Sequence, residues 1–188
     1  MKGLLSVLLC LALVATATPT ASSAVGSMEA KLQHIERNGA QPHPDPAPTQ
    51  LTESEINAYF AAGKVPLPAG VRTLHVAGEA GTMTATARIN FDQIKTGRGS
   101  SNPLLSIFSG EHDVEAEAHA HGSQGTGFVD IDSVALDGVE IPRFVLQMFV
   151  ERYLKPKHPE IGLSSRFRLP DKIDSAAIGK HVLTITQR

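Results

Sequence analysis

The segment from Asp130 to Leu154, DIDSVALDGVEIPRFVLQMFVERYL, constrains the fold more than any other, because it ends in a helix too apolar to stand alone in water. At about 100° per residue, Phe144, Val145, Leu146, Met148, Phe149, Val150, Tyr153 and Leu154 cover an arc of roughly 240°. Gln147 and Glu151 form the narrow polar strip that remains, and Arg152 interrupts the apolar side. An ordinary surface helix buries a narrower stripe, so this one requires cover on most of its circumference, from sheet, from lipid or from a partner. Core burial is the simplest of the three.

The chain before this helix alternates like half-buried strands. Met83, Ala85, Ala87, Ile89 and Phe91 share one face, with Thr82, Thr84, Thr86, Arg88 and Asn90 on the other. Glu111 to His121 repeats the pattern, with Val114, Ala116, Ala118 and Ala120 inward. A strand lined by alanine leaves room above it, for a close-packed helix or for a ligand. Gly78 to Gly81 and Gly122 to Gly127 read as hairpin turns, and Asp137-Gly138 as a tight turn into Val139-Glu-Ile-Pro. Pro103 to Phe108 reads equally well as a helical turn or a flap. Thr52-Glu-Ser-Glu55 has the spacing of a helix capping box, with Ile56, Tyr59 and Phe60 on its buried side. After Lys155-Pro-Lys-His-Pro159 come short strands at 166–169 and 181–187. The order of helix, antiparallel strands, helix and final strands predicts an α+β fold: a curved antiparallel β-sheet with about two helices packed on one face, opening toward a half-barrel groove.

Met1-Lys2, the apolar run Gly3 to Ala15 and the small residues through Ala24 have the organisation of a secretory signal peptide. Cleavage is expected near Val25, and Ala15-x-Ala17 offers an alternative. The expected division is therefore a leader over 1–24, an N-terminal segment and proline-rich tether over 25–50, and one α+β domain over 51–188. Within the tether, 28–37 carries a weak helical pattern, and prolines at every second position from 42 to 48 favour polyproline II. Cys10 is the only cysteine and lies in the leader, so the mature chain would have no disulfide, thiolate ligand or cysteine nucleophile. Lys2 leaves with the leader too, which sets the remaining Lys and Arg against 19 Asp and Glu, a net charge of about −3. That balance and the absence of Trp argue against nucleic acid as a partner.

Catalytic signals are few. Glu117, His119 and His121 share one strand face and are the best metal candidates, yet an acid and histidine alternation is also how a solvated strand reads. Asp130 and Asp132 read the same way. Gly122-Ser-Gln-Gly-Thr-Gly127 joins two strands and opens no helix, so it lacks the setting of a phosphate loop. With no G-x-S-x-G or H-E-x-x-H, neither an enzyme nor a bound cofactor is expected. Arg152, Lys155, Lys157, Arg166 and Arg168, with His158, gather positive charge after the apolar helix, suited to anionic lipid headgroups or a membrane surface, or simply to the helix dipole.

From Thr52 onward the chain resembles small exported proteins of the LmeA-like type and, more distantly, AsmA-like and tubular lipid-binding folds. The resemblance is carried by Leu51-Thr-Glu-Ser-Glu-Ile-Asn-Ala-Tyr, by Val134-Ala-Leu-Asp-Gly-Val-Glu-Ile-Pro, and by Phe167-Arg-Leu-Pro with Ile173, Ile178-Gly and Val182-Leu-Thr-Ile. It implies a long curved sheet around a helix, an apolar groove for lipid chains and a place in the bacterial cell envelope; it transfers no site residues. The expectation is an exported, periplasmic or cell-envelope protein that binds lipid or another elongated apolar ligand between sheet and helix. Ala116, Ala118, Phe144, Val145, Met148, Phe149 and Tyr153 are the expected groove residues, and the five basic residues above the expected headgroup contacts. The alternative is a non-catalytic interaction or dimerisation module whose partner covers the helix.

Overall fold

The computed structural model describes residues 21–95, 102–159 and 161–188. The expected leader lies almost wholly outside them, as does most of the glycine and serine loop at 97–102. Among the described residues thirteen α and β elements follow one another: α1 (Ala21–Gly39), β1 (Thr49–Thr52), α2 (Glu53–Ala61), β2 (Val71–Glu79), β3 (Thr82–Asn90), α3 (Phe91–Lys95), β4 (Glu111–Ser123), β5 (Thr126–Leu136), β6 (Val139–Glu140), α4 (Arg143–Phe149), β7 (Ser164–Arg168), β8 (Ile173–Gly179) and β9 (Val182–Gln187). A 3₁₀ turn at Pro103–Leu105 precedes β4, and α4 runs on as a π-helical turn, Val150–Leu154.

Every strand pair is antiparallel, and together the nine strands make one curved, open sheet. β3 lies between β2 and β4, and β5 runs along the other side of β4. β6 and β7 share the far edge of β5. β4 outlasts β3, and past His119 its free edge pairs with β8, through His121↔Ala177 and Gly122↔Ala176. From that junction β8, β9 and β1 continue as a second branch. Gly122 is required there, since a Cβ would stand 2.9 Å from Ala176. Gly122 and Gly127 thus belong to strands, and the turn itself is Gln124-Gly125, both at positive φ.

Two apolar clusters lie on the inner face. The first joins α3, the 3₁₀ turn, α4 and its π turn to β5, with Phe91, Phe108, Leu136, Val145, Phe149 and Tyr153 buried in it. Its centre is aromatic: Phe108 and Phe149 are 4.3 Å apart by centroid, and Phe91 meets Phe149 edge-on at 5.6 Å. Pro103 to Phe108 is therefore a capped helical turn, not a flap; the Asn102 side chain accepts from Leu104 N at 3.0 Å, and Phe108 is the most buried large side chain. The second cluster packs α1 and α2 on the β8, β9 and β1 branch through Met28, Ile35, Leu51, Ile173 and Ile185.

At the N-terminal side the arrangement departs from the expected tether. The helix expected over 28–37 extends over Ala21–Gly39 and packs on α2. The proline stretch after it is fastened at its start: Asn38 donates to the Asp45 carbonyl at 2.9 Å and accepts from Asp45 N at 2.8 Å, and Lys172 Nζ donates to the Gln41 carbonyl. Alternate prolines specify an extended backbone correctly, but such a backbone can strap two packed elements as well as separate them. What decides is the Met28, Leu32 and Ile35 stripe, which finds an apolar surface only where β8 and β9 provide one.

Candidate functional site

Strand register assembles the inner face residue by residue. Ala85 stands opposite Ala116 and Val76, and Ala87 opposite Val114 and Leu74. Ala116 is opposite Val134, and Ala118 opposite Met83 and Ile131. The pairing of β4 with β5 shifts by one between Glu117 and Ala118, a bulge that leaves Ile131 and Val134 on the same face although they are three residues apart. The middle of this face, between the two clusters, is a floor of alanine.

An almost wholly apolar hollow opens at each end of that floor. Under α4, a space of about 290 Å³ is lined by Ile89, Val114, Ile131, Val134, Phe149, Leu154 and their neighbours. Under α2, a space of about 350 Å³ is lined by Ile56, Phe60, Leu74, Val76, Met83, Ala85, Ile178 and Leu183. Its one polar liner, Glu53, is already occupied: its carboxylate accepts from Gly78 N at 3.0 Å and lies 2.8 Å from His181 Nδ1. The His181 hydrogen bond, followed by the Gly78 amide, holds the Glu53 carboxyl below the ordinary carboxylate range. Along β3 the hollows are separated by Ala87 alone, so Met83 to Ile89 makes one inner strip about 20 Å long.

The expected groove residues take different places. Phe149 lines the α4 hollow. Val145, Met148 and Tyr153 pack in the first cluster, and Ala116 and Ala118 lie on the floor between the hollows, Ala118 fully buried. Phe144 points away from the buried stripe and is 59 % exposed. The α2 hollow lies outside the expected groove; its signal in the sequence is Ala85 and Ala87 on β3, small residues like the alanines of β4.

The basic residues do not form one patch. Arg166 belongs to the outer face, its guanidinium 5.3 Å from the Phe128 ring, which in turn stacks on His121. Arg168 follows on the same strand, opposite Thr126. Arg152 and Lys157 are exposed around the end of the π turn. Lys155 lines a polar hollow at the sheet edge with Arg143, a residue the charge pattern did not single out. Arg143 donates to the Ile131 carbonyl at 2.5 Å and to Asp130 at 3.3 Å. Hydrogen bonds from Ser164, then Arg143, hold the Asp130 carboxyl below its usual range.

On the outer face the acid and histidine residues are spread among separate partners. His119 Nδ1 lies 2.6 Å from Asp132, and His121 is stacked as described. Among the described residues no three His, Cys, Asp or Glu side chains converge as a metal site would require. Nor, among the described residues, is any helix long and apolar enough to cross a membrane. No protein-family model, curated protein or solved structure matches the chain, so the LmeA-like resemblance rests on the sequence patterns alone.

Proposed function

We propose that this is an exported cell-envelope protein that binds a lipid or another elongated apolar ligand along the inner face of its sheet. One observation carries the proposal: two apolar hollows of about 350 and 290 Å³ on the same concave face, joined by a floor of alanine. The two lie at the lower end of the range of small-molecule pockets, about 300 Å³, and neither offers the convergent donors and acceptors that catalysis or recognition of a compact polar substrate needs. A strip of about 20 Å suits a long acyl chain.

Native mass spectrometry of the protein purified from a membrane-containing lysate is expected to show a co-purifying lipid. Ala116→Phe, which raises a ring from the floor among half-buried neighbours, is expected to remove that mass while the far-ultraviolet circular dichroism persists. Wild-type protein free of lipid would overturn the proposal. A second mode, a protein-interaction module, is favoured by exposed apolar side chains, among them Phe144, Leu104 and Ile107, which are 59 %, 47 % and 40 % exposed. Light scattering separates the two: a mass that grows with concentration and carries no extractable lipid supports the module.

A further inference from the structure

Resting on the groove proposed above, we infer that its ligand is a single-chain amphiphile with an anionic head, held by Arg143 and Lys155, and that the tail ends under α2. The polar hollow beside α4 has a volume of about 390 Å³ and is lined by Arg143, Gln147, Lys155 and Ser164, together with Pro159 and residues 161–163. The Ser164 hydroxyl already donates to Asp130 at 2.7 Å and the Gln147 amide to Glu151 at 2.6 Å, so the hollow is matched to a carboxylate or phosphate by the remaining N–H groups of Arg143 and by Lys155, which can only donate. It shares Ile161, Gly162 and Leu163 with the apolar hollow under α4, and Gly162 puts no side chain into the shared wall.

Polarity therefore falls in one direction across the molecule. Donors stand at the sheet edge, apolar side chains under α4, alanines along the floor, and the α2 hollow at the far end has its single carboxylate already engaged. A methyl terminus has nothing to satisfy there, whereas a charged head would lose its hydration without replacement. At the head end, the contacts of Arg143 to Ile131 and Asp130 aim the guanidinium and use two of its five N–H groups. Lys155 has Glu151 as a loose partner at 3.8 Å, which a closer anion displaces. Arg166, on the outer face, has no part in this arrangement.

Titration of the full chain with palmitate and with hexadecanol, which share a chain and differ in head charge, tests the assignment. Palmitate is expected to bind about tenfold tighter or more, the worth of one charge-assisted contact. Arg143→Gln and Lys155→Gln should each remove most of that advantage and leave hexadecanol within roughly twofold of wild type. Palmitate carrying a photoreactive diazirine at its methyl end is expected to label α2 or Met83. If hexadecanol binds and palmitate binds no tighter, or if the advantage survives both substitutions, the head assignment is overturned and the groove stands. Labelling confined to α4 overturns the orientation. If neither probe binds, the groove itself fails and the assignment falls with it.

Discussion

Glu55 does two tasks with one carboxylate. Its Oε2 accepts from Thr52 N at 2.7 Å and so completes the capping box of α2, and both oxygens accept from Lys31 of α1, at 2.7 and 2.8 Å. Ser27 donates to Oε1 at 2.5 Å. Burial alone would raise its pKa, but the bonds from Lys31, Ser27 and Thr52 outweigh it and bring the carboxyl down to about 2. Since the folded value is depressed, the unfolded chain binds the extra proton; stability from this group is complete above about pH 4.5 and is lost as pH falls toward 2. The loss is on the order of 3 kcal/mol. Glu55→Gln is expected to lower the urea midpoint at pH 7 and to flatten the pH dependence between 4.5 and 2, measured by denaturant titration at each pH. His112 has the opposite sign. Its hydrogen bond to Asp137 raises its pKa, despite burial, and Ser109 O adds to the effect. Its contribution is complete below about pH 6.5 and is lost as pH rises through the folded value. Thermal midpoints should fall between pH 6 and 8 in the wild type, and less so in His112→Gln. The capping box was legible from Thr52 and Glu55; the bond across to Lys31 was not, because no local spacing announces a partner twenty-four residues away.

Among the elements, α4 and its π turn separate buried apolar residues from merely present ones. All residues of the expected apolar arc pack in the first cluster except Phe144. Phe149→Ala is expected to cost about 3–5 kcal/mol, since it removes a ring in contact with Phe91, Phe108 and Tyr153. Phe144→Ser should change stability by no more than about 0.5 kcal/mol. Chemical denaturation of the two variants checks both values. Periodicity could define the arc, but it could not say where neighbouring elements stop covering it. β5 shows the converse. The inward residues change parity between Ile131 and Val134, and only an inserted residue reconciles them, so the bulge was present in the alternation itself. α2 also guards an edge: Asn57 accepts from Val76 N and donates to Val76 O, both at 2.8 Å, as a neighbouring strand would. Nothing in the sequence marks Asn57 for that position.

Across the whole molecule, the expected α+β class and curved sheet are present, because alternation and turn residues act locally and carry through to the fold. The branching of the sheet at β4 was not legible, for it depends on β4 being longer than β3 and on Gly122 admitting Ala176. That branch creates the α2 hollow, and so the half of the proposed groove that lies outside the first expectation. It also bears on processing. Ala24 is buried in α1, and the Ser27 bond to Glu55 follows within a turn. A cut near Val25 would remove the first turn of a packed helix, whereas a cut after Ala17 leaves it whole. On the proposed export, amino-terminal sequencing of the processed protein is expected to begin at Thr18.

β1 and β8 never touch as neighbours; β9 lies between them, and each pairs with it alone in that branch. Synthesis delivers residues 49–52 well before residues 182–187. Until β9 is made, β1 lacks the strand it pairs with, and Gln187, whose amide donates to the Ile35 and Asp171 carbonyls, is missing too. The second cluster therefore closes late, after β9 has emerged.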